Sequence, residues 1–207
     1  LPEISPALCQ AVTGRSDARA VLHSLFDRQL FMTALDEAVP VLRFHDLFRD
    51  FLRGELERRE PGRAVQLHGL AAAAETRPER AVPHWIAARR WPEALTTLRE
   101  LADGLLAVGG TLQLERWLEH LPEAWRASQP DAALLRGMCA WSRWDWIHAK
   151  VEFQDSLDKY SRQGRWQDQT IALSMLGACH NALGNLDRAR EVMTSVESAS
   201  LPPPLRV

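Results

Sequence analysis

The first 29 residues alternate apolar positions at helical spacing with two turn signals. Ser5-Pro6 and Ser16-Asp17 are helix starts, with Ser16 a candidate N-cap, and Thr13-Gly14 separates the two short helices they predict. Val21, Leu22, Leu25 and Phe26 recur on one face of the second. The pattern then shortens. Residues 30–35 form a brief apolar, partly aromatic run that suits a strand, 36–38 can turn, and Val41-Leu42-Arg43-Phe44 reads as the return strand, with Pro40 tolerated at its start. Past His45 the period is helical throughout. Leu47, Phe48, Phe51, Leu52 and Leu56 make one apolar stripe, while Arg49, Asp50, Arg53 and Glu57 fall on other faces.

Glu60-Pro61-Gly62 closes that helix. From there to about residue 200, Ala- and Leu-rich segments are punctuated at Arg77-Pro78, Trp91-Pro92, Gly109-Gly110, Leu121-Pro122, Gln129-Pro130, Gly164 and Gly184. A repeat runs through them. Arg136-Gly137-Met138-Cys139-Ala140 resembles Leu176-Gly177-Ala178-Cys179-His180 at an offset of 40 residues, which also carries Trp146 onto Leu186, Ala149 onto Ala189 and Phe153 onto Met193. Small residues let the helices of a hairpin approach closely. The expectation is therefore that Gly137 faces Ala149 and Gly177 faces Ala189, with Phe153 and Met193 filling the groove toward the next hairpin. A looser copy sets Trp91-Pro92-Glu93-Ala94-Leu95 on Trp146-Ile147-His148-Ala149-Lys150 at an offset of 55, leaving room for an extra helix near 112–119. The pattern resembles the tetratricopeptide repeat (TPR), best over 173–196, where Leu173, Leu176, Gly177, Gly184, Ala189 and Met193 match. An ordinary α-bundle is the competing reading.

Composition narrows the function classes. The chain has 207 residues, 46% hydrophobic and 25% charged, as a folded globular protein does. A net charge of -2 is too neutral for an electrostatic DNA footprint. There is no apolar run long enough for a membrane span and no signal-peptide pattern. Cys9, Cys139 and Cys179 give neither an even disulfide framework nor a CxxC, which fits a reduced cytoplasmic setting. Cys139 and Cys179 read as small core residues at equivalent repeat positions. The seven histidines lack zinc or HExxH spacing and read as surface or packing residues, and no nucleophile elbow is present. Glu55, Glu57 and Glu60 lie among arginines and read as helix-pairing carboxylates. The chain opens at Leu1 rather than at a start methionine and ends in a Pro-rich stretch, so both ends read as cut from something longer.

The most specific run is Arg43-Phe44-His45-Asp46-Leu47-Phe48-Arg49-Asp50-Phe51-Leu52. It is similar to the winged-helix signature of large signal-transducing (STAND) ATPases, in particular the maltose-activator, or MalT-like, type of LuxR-family transcription regulator. Residues 8–17, Leu30-Phe31, His84-Trp85 and Trp117-Leu118-Glu119-His120-Leu121-Pro122 also resemble that family. The resemblance implies a mainly α fold: the C-terminal part of a winged helix with one small β-hairpin over 1–58, then a TPR-like α-helical superhelix over 59–207. It further implies a whole protein with a P-loop ATPase, this winged helix, a helical sensor and a C-terminal helix-turn-helix. The chain carries no GxxxxGK followed by Ser or Thr, and no helix-turn-helix is apparent after Val196. No cofactor is therefore expected in this chain. ATP or ADP is expected only for the whole protein, and DNA contact only through a separate C-terminal domain.

Three residues are candidate site residues. Phe44-His45-Asp46 resembles the Met-His-Asp motif of related ATPases, whose histidine reaches the nucleotide phosphates; a His donor beside free helix N–H groups suits an anion. Simple helix capping, or packing on the hairpin, is the plain alternative for His45. Trp144 and Trp146 read as packing residues. Trp141 and its repeat equivalent Asn181 fall where a TPR-like helix lines a concave face, so they are candidates for holding a small-molecule effector or a protein partner. The function expected is regulatory and non-enzymatic, with a stand-alone TPR-like scaffold for protein partners as the alternative.

Overall fold

The computed structural model describes residues 4–28, 31–34 and 42–200. The turn expected over 36–38, the flanking strand residues expected at 30, 35, 40 and 41, and the Pro-rich 201–205 stretch lie outside them. The chain divides into two compact units, 1–97 and 98–207.

In the first unit, α1 (Pro6–Thr13) starts on Ser5, whose side-chain oxygen accepts from Leu8 N at 3.2 Å, with Pro6 in the first turn where its missing N–H costs nothing. Gly14, at φ 72, ends it by turning its N–H back to the Gln10 carbonyl at 2.8 Å. The N-cap of α2 (Ala18–Asp27) is Asp17, one residue past the expected Ser16. Asp17 makes no side-chain cap there because its carboxylate is held by Arg15 at 2.7 Å and 2.9 Å.

Strands β1 (Met32–Ala34) and β2 (Leu42–Phe44) pair antiparallel, Met32 opposite Phe44 and Thr33 opposite Arg43. Ile4 adds a bridge that the hydrophobic pattern did not announce: its N–H and carbonyl both bond Leu42, at 2.8 Å and 2.9 Å. Ile4, Leu22 and Leu42 form the small core beneath the hairpin, with Met32, Phe44 and Cys9 against it. Then come α3 (Asp46–Arg59), α4 (Arg63–Ala74) and α5 (Pro78–Ala87). Leu8 and Val12 of α1 pack on Ala71 of α4. The apolar stripe of α3 is present but not buried: Leu47 is 77% exposed and Phe51 61%.

Helix α6 (Trp91–Ala107) contains the division between the units. The second unit continues with α7 (Thr111–Glu119), the short α8 (Glu123–Arg126), α9 (Pro130–Ser142), α10 (Trp146–Gln163), α11 (Trp166–Ala182) and α12 (Leu186–Ser200). Each of the last four packs on its neighbour in the chain, α9 on α10, α10 on α11 and α11 on α12. This is the sequential pairing of a helical solenoid. The core runs through them as Leu134 and Ala140 of α9, Ala149, Phe153 and Tyr160 of α10, and Ala172, Leu176 and Cys179 of α11. Helix α7 sits on α9, where Glu115 pairs with Arg143 and Thr111 meets the Ser142 hydroxyl at 2.9 Å.

The repeat is written into the backbone. Arg89, Trp144 and Gly184, spaced by the 55- and 40-residue offsets, all adopt left-handed conformations, with φ 56, 64 and 77. Around each, an N–H returns to the carbonyl five residues earlier: Arg90 to Trp85 at 2.9 Å, Asp145 to Ala140 at 3.0 Å, Asn185 to His180 at 2.8 Å. Three copies of one helix-ending turn thus occur at the offsets the side chains suggested.

The nearest side chain at the repeated glycine position is not the expected alanine. A Cβ on Gly137 would come nearest the Phe153 ring, and one on Gly177 nearest Val192 and Met193. The close approach accommodates a large side chain from the facing helix. Phe153 and Met193 therefore fill their own hairpins, and Phe153 also belongs to the cluster shared with α11.

Candidate functional site

His45 is the N-cap of α3, at φ -55 and ψ 137, and it makes no side-chain capping bond. Its backbone N–H donates to the Phe31 carbonyl at 2.7 Å, which ties the helix start to the strand. The imidazole is exposed and borders an open hollow of about 930 Å³ whose wall includes Phe26, Phe31, Thr33 and Arg43. Next to it, Asp46 carries a negative charge on the first helical residue, where the helix dipole favours it. Arg43 at 3.3 Å and Arg49 at 2.8 Å bond that carboxylate, and the Arg43 bond foremost holds its pKa below the ordinary range. The helix start therefore offers a histidine and two guanidiniums, set against Asp46, against Asp50, which also holds Arg49 at 3.2 Å, and against Asp27 on the wall of the hollow. That mixture can meet an anion through the donors of His45 and Arg43. Phe48 anchors the surrounding ring cluster, 5.1 Å from Phe31 and 5.6 Å from Phe44.

A second constellation was not visible in the residue pattern. His68 of α4 and His84 of α5 meet Nδ1 to Nδ1 at 2.9 Å, one donating and the other accepting according to tautomer. Burial, foremost, pushes both down to about 4, and at His68 the neighbouring His84 adds to it. The pair is neutral at pH 7. Their sixteen-residue separation matches no ligand spacing, so in the sequence alone they read as separate packing histidines. Among the described residues no group of three or more His, Cys, Asp or Glu is placed to hold a metal ion. His68 also borders an apolar hollow of about 400 Å³ with Leu52, Leu56 and Leu67.

In the second unit Trp141 is half-buried against the α9–α11 core, its ring 6.5 Å from Trp146. Asn181 is exposed at the end of α11, and no hydrogen bond between the described residues joins it to Trp141. Trp144 is 77% exposed on the left-handed turn, edge-on to Trp146 at 6.0 Å. A cleft of about 480 Å³ lies between α10 and α11, bordered by Lys150, Gln154, Asp158 and His180 but not by Trp141 or Asn181. Cys139 and Cys179 are buried and free, their thiols pushed up by burial to about 12 and about 11. Among the described residues no helix is long and apolar enough to cross a membrane.

Comparison with known proteins bears on both units. Residues 1–64 match the family model of the MalT winged helix domain. The HTH-type transcriptional regulator MalT of Vibrio parahaemolyticus is 23% identical over 242 aligned residues, which take in 95% of this chain and 27% of that protein. MalT of Vibrio cholerae is 37% identical over 84 residues, 41% of this chain and 9% of its own length. The serine/threonine-protein kinase PknK of Mycobacterium tuberculosis is 37% identical over 66 residues, 32% of this chain and 6% of the kinase. No solved structure matches. The chain spans about a quarter or less of these relatives' lengths. Residues 1–64 thus match a MalT-type winged helix domain, and the chain over most of its length is similar to MalT regulators.

Proposed function

We propose that this chain is the regulatory core of an ATP-dependent, LuxR-family transcription regulator of the STAND class. In this reading 1–58 is the winged-helix portion and 59–207 the TPR-like repeats. The chain couples a nucleotide-driven switch to an effector or protein bound on the repeat surface, and so gates DNA binding by a separate domain. It performs no catalysis itself, works in the cytoplasm and contacts no membrane. ATP and ADP belong to the whole protein. The observation that supports this best is the order of parts: a MalT winged helix match over 1–64, then helices that pack in sequence order.

His45 is the nucleotide-sensing residue in this reading. Its exposure at the start of α3, beside Arg43, suits contact with a phosphate supplied by an ATPase domain. Trp141 and Asn181 remain the effector-contact candidates. The test is His45→Ala in the whole regulator. ADP affinity should fall and basal transcription should rise, because the variant no longer holds the ADP-bound state. Unchanged ADP affinity together with unchanged basal transcription overturns the switch reading.

A further inference from the structure

Helix α3 borders an apolar hollow that it does not fill. None of its 14 residues is buried, although Arg49, Leu52, Arg53 and Leu56 stand at i, i+3, i+4 and i+7 on the face that lines the hollow. The hollow holds about 400 Å³, within the range of about 300–1,000 Å³ that small-molecule sites occupy. Leu52 and Leu56 line it from α3, Val12 from α1 and Leu67 from α4. Val12 and Leu67 also pack in the α1–α4 core, which fixes that wall. Leu52 stays 37% exposed, and a molecule lying in the hollow would take that apolar surface out of water.

The polar groups of the hollow are donors. No carboxylate of the described residues lines it. Arg49 is already engaged, with Asp46 at 2.8 Å and Asp50 at 3.2 Å. Arg53 is exposed and has no ion pair among the described residues. On α4, His68 spends Nδ1 on His84 at 2.9 Å, and its Nε2 bonds nothing among the described residues. When His84 donates in that bond, His68 Nδ1 accepts, and the proton of the neutral ring sits on Nε2 as a donor. Arg53 is near: after burial and His84, its charge adds to what holds the His68 imidazole neutral. A guanidinium from one helix and an N–H from another are thus both available at the same hollow.

This lining selects among ligands. An ammonium would meet Arg53 with no acid in the hollow to offset it. A sugar would set hydroxyls unpaired against leucines. A carboxylate on an apolar body suits both ends, since a guanidinium can take a carboxylate through two N–H bonds while the methylenes lie on the leucines. We propose that the hollow between α1, α3 and α4 binds a small aliphatic monocarboxylate, with its carboxylate on Arg53 and His68 Nε2 and its chain among Val12, Leu52, Leu56 and Leu67. All of these residues belong to the first unit. The proposal goes beyond the regulatory reading and does not depend on it.

The probe is sodium octanoate, titrated calorimetrically into the full 207-residue chain at pH 7 and low salt. Saturable one-to-one binding is expected. Hexanoate should bind about tenfold more weakly, because two buried methylenes are lost. Octan-1-ol should also bind about tenfold more weakly, since it keeps the chain and lacks the charge. Arg53→Glu should weaken octanoate binding about tenfold or more without loss of helicity, because the side chain is exposed and holds no ion pair in the free protein. Ala64→Leu takes room from the hollow at a half-buried position and should weaken binding about fivefold or more. Absence of saturable octanoate binding overturns the proposal. So does octan-1-ol that binds as tightly as octanoate, which would mark an uncharged apolar site. Binding that either variant leaves unchanged overturns it too, because octanoate would then lie elsewhere. Each of these failures leaves the His45 test of the regulatory reading untouched.

Discussion

Gly137 lies directly beneath the Phe153 ring: a Cβ there would come within 2.5 Å of Cε1 and 2.6 Å of Cδ1. Phe153 is fully buried and cannot move aside without disturbing Ala172 and Leu176 of α11. Gly137→Ala should therefore destabilise the repeat unit by about 1–3 kcal/mol, the usual cost of overpacking, even though alanine favours helix. Gly177→Ala tests the same position one repeat later, where the nearest atom would be 3.4 Å away. It should be close to neutral. Thermal melts of the two variants check the contrast, and equal losses would remove the steric explanation.

The small-residue periodicity made the hairpins legible, but not which side chain fills the gap. Spacing alone put Ala149 opposite Gly137, because it records only that both are small. The larger Phe153 fits there because its ring takes the space that a Cβ on Gly137 would need. The helix boundaries were legible wherever Pro or Gly marked them. The turn at Trp144 was not, since a tryptophan at φ 64 is an unusual way to write what Gly184 writes plainly. His68 and His84 were missed because only the packing of α4 on α5 makes neighbours of them. The α10–α11 cleft is illegible for the same reason: repeat position points to Trp141 and Asn181, and it carries no record of the polar side chains that packing gathers between α10 and α11.

Arg89 stands at φ 56, where Gly184 has φ 77 in the equivalent turn. A side chain with a Cβ pays roughly 1 kcal/mol in that region, and glycine does not. Arg89 is exposed, so little packing is lost on replacing it. Arg89→Gly is expected to raise stability by about 0.5–1 kcal/mol. At Trp144 the same change should gain less, because it also removes the edge-on contact with Trp146. Denaturant unfolding of both variants decides this; a loss at Arg89 would mean the side chain has a role its surroundings do not reveal.

Tyr160, the chain's single tyrosine, donates its hydroxyl to Asp131 Oδ1 at 2.6 Å, and Asp131 Oδ2 also takes Arg165 at 2.6 Å. The Arg165 guanidinium lies 4.8 Å over the same ring. Burial first, and Asp131 second, push the phenol above its ordinary value of 10. Tyr160→Phe keeps the ring and should cost about 1 kcal/mol for the lost hydrogen bond. Asp131→Ala should cost more, since it strands the buried hydroxyl and takes from Arg165 one of its two carboxylates, leaving Asp168 at 2.8 Å. Because there is one tyrosine, an absorbance titration near 295 nm reads it directly. Onset of ionisation should come above pH 10 in the folded chain and move down part of the way in Asp131→Asn.

The His68–His84 pair makes stability depend on pH in a defined window. Each imidazole has an ordinary value of 6.5 and sits near 4 in the folded protein. Between those values the unfolded chain binds protons that the folded chain refuses, so lowering the pH favours unfolding. The contribution is fully present above pH 6.5 and is lost as pH falls toward 4. His180, also pushed down, acts in the same direction. The carboxylates held low by arginines, such as Asp17 and Asp46, titrate below this range, so the upper part of the window belongs to histidine. The melting temperature should fall steadily from pH 7 to 4.5. Replacing both residues with phenylalanine removes the titrating groups while keeping two packed rings, and should flatten most of that slope. A double variant whose melting temperature drops as steeply as the parent's would show that the pair does not carry the pH dependence.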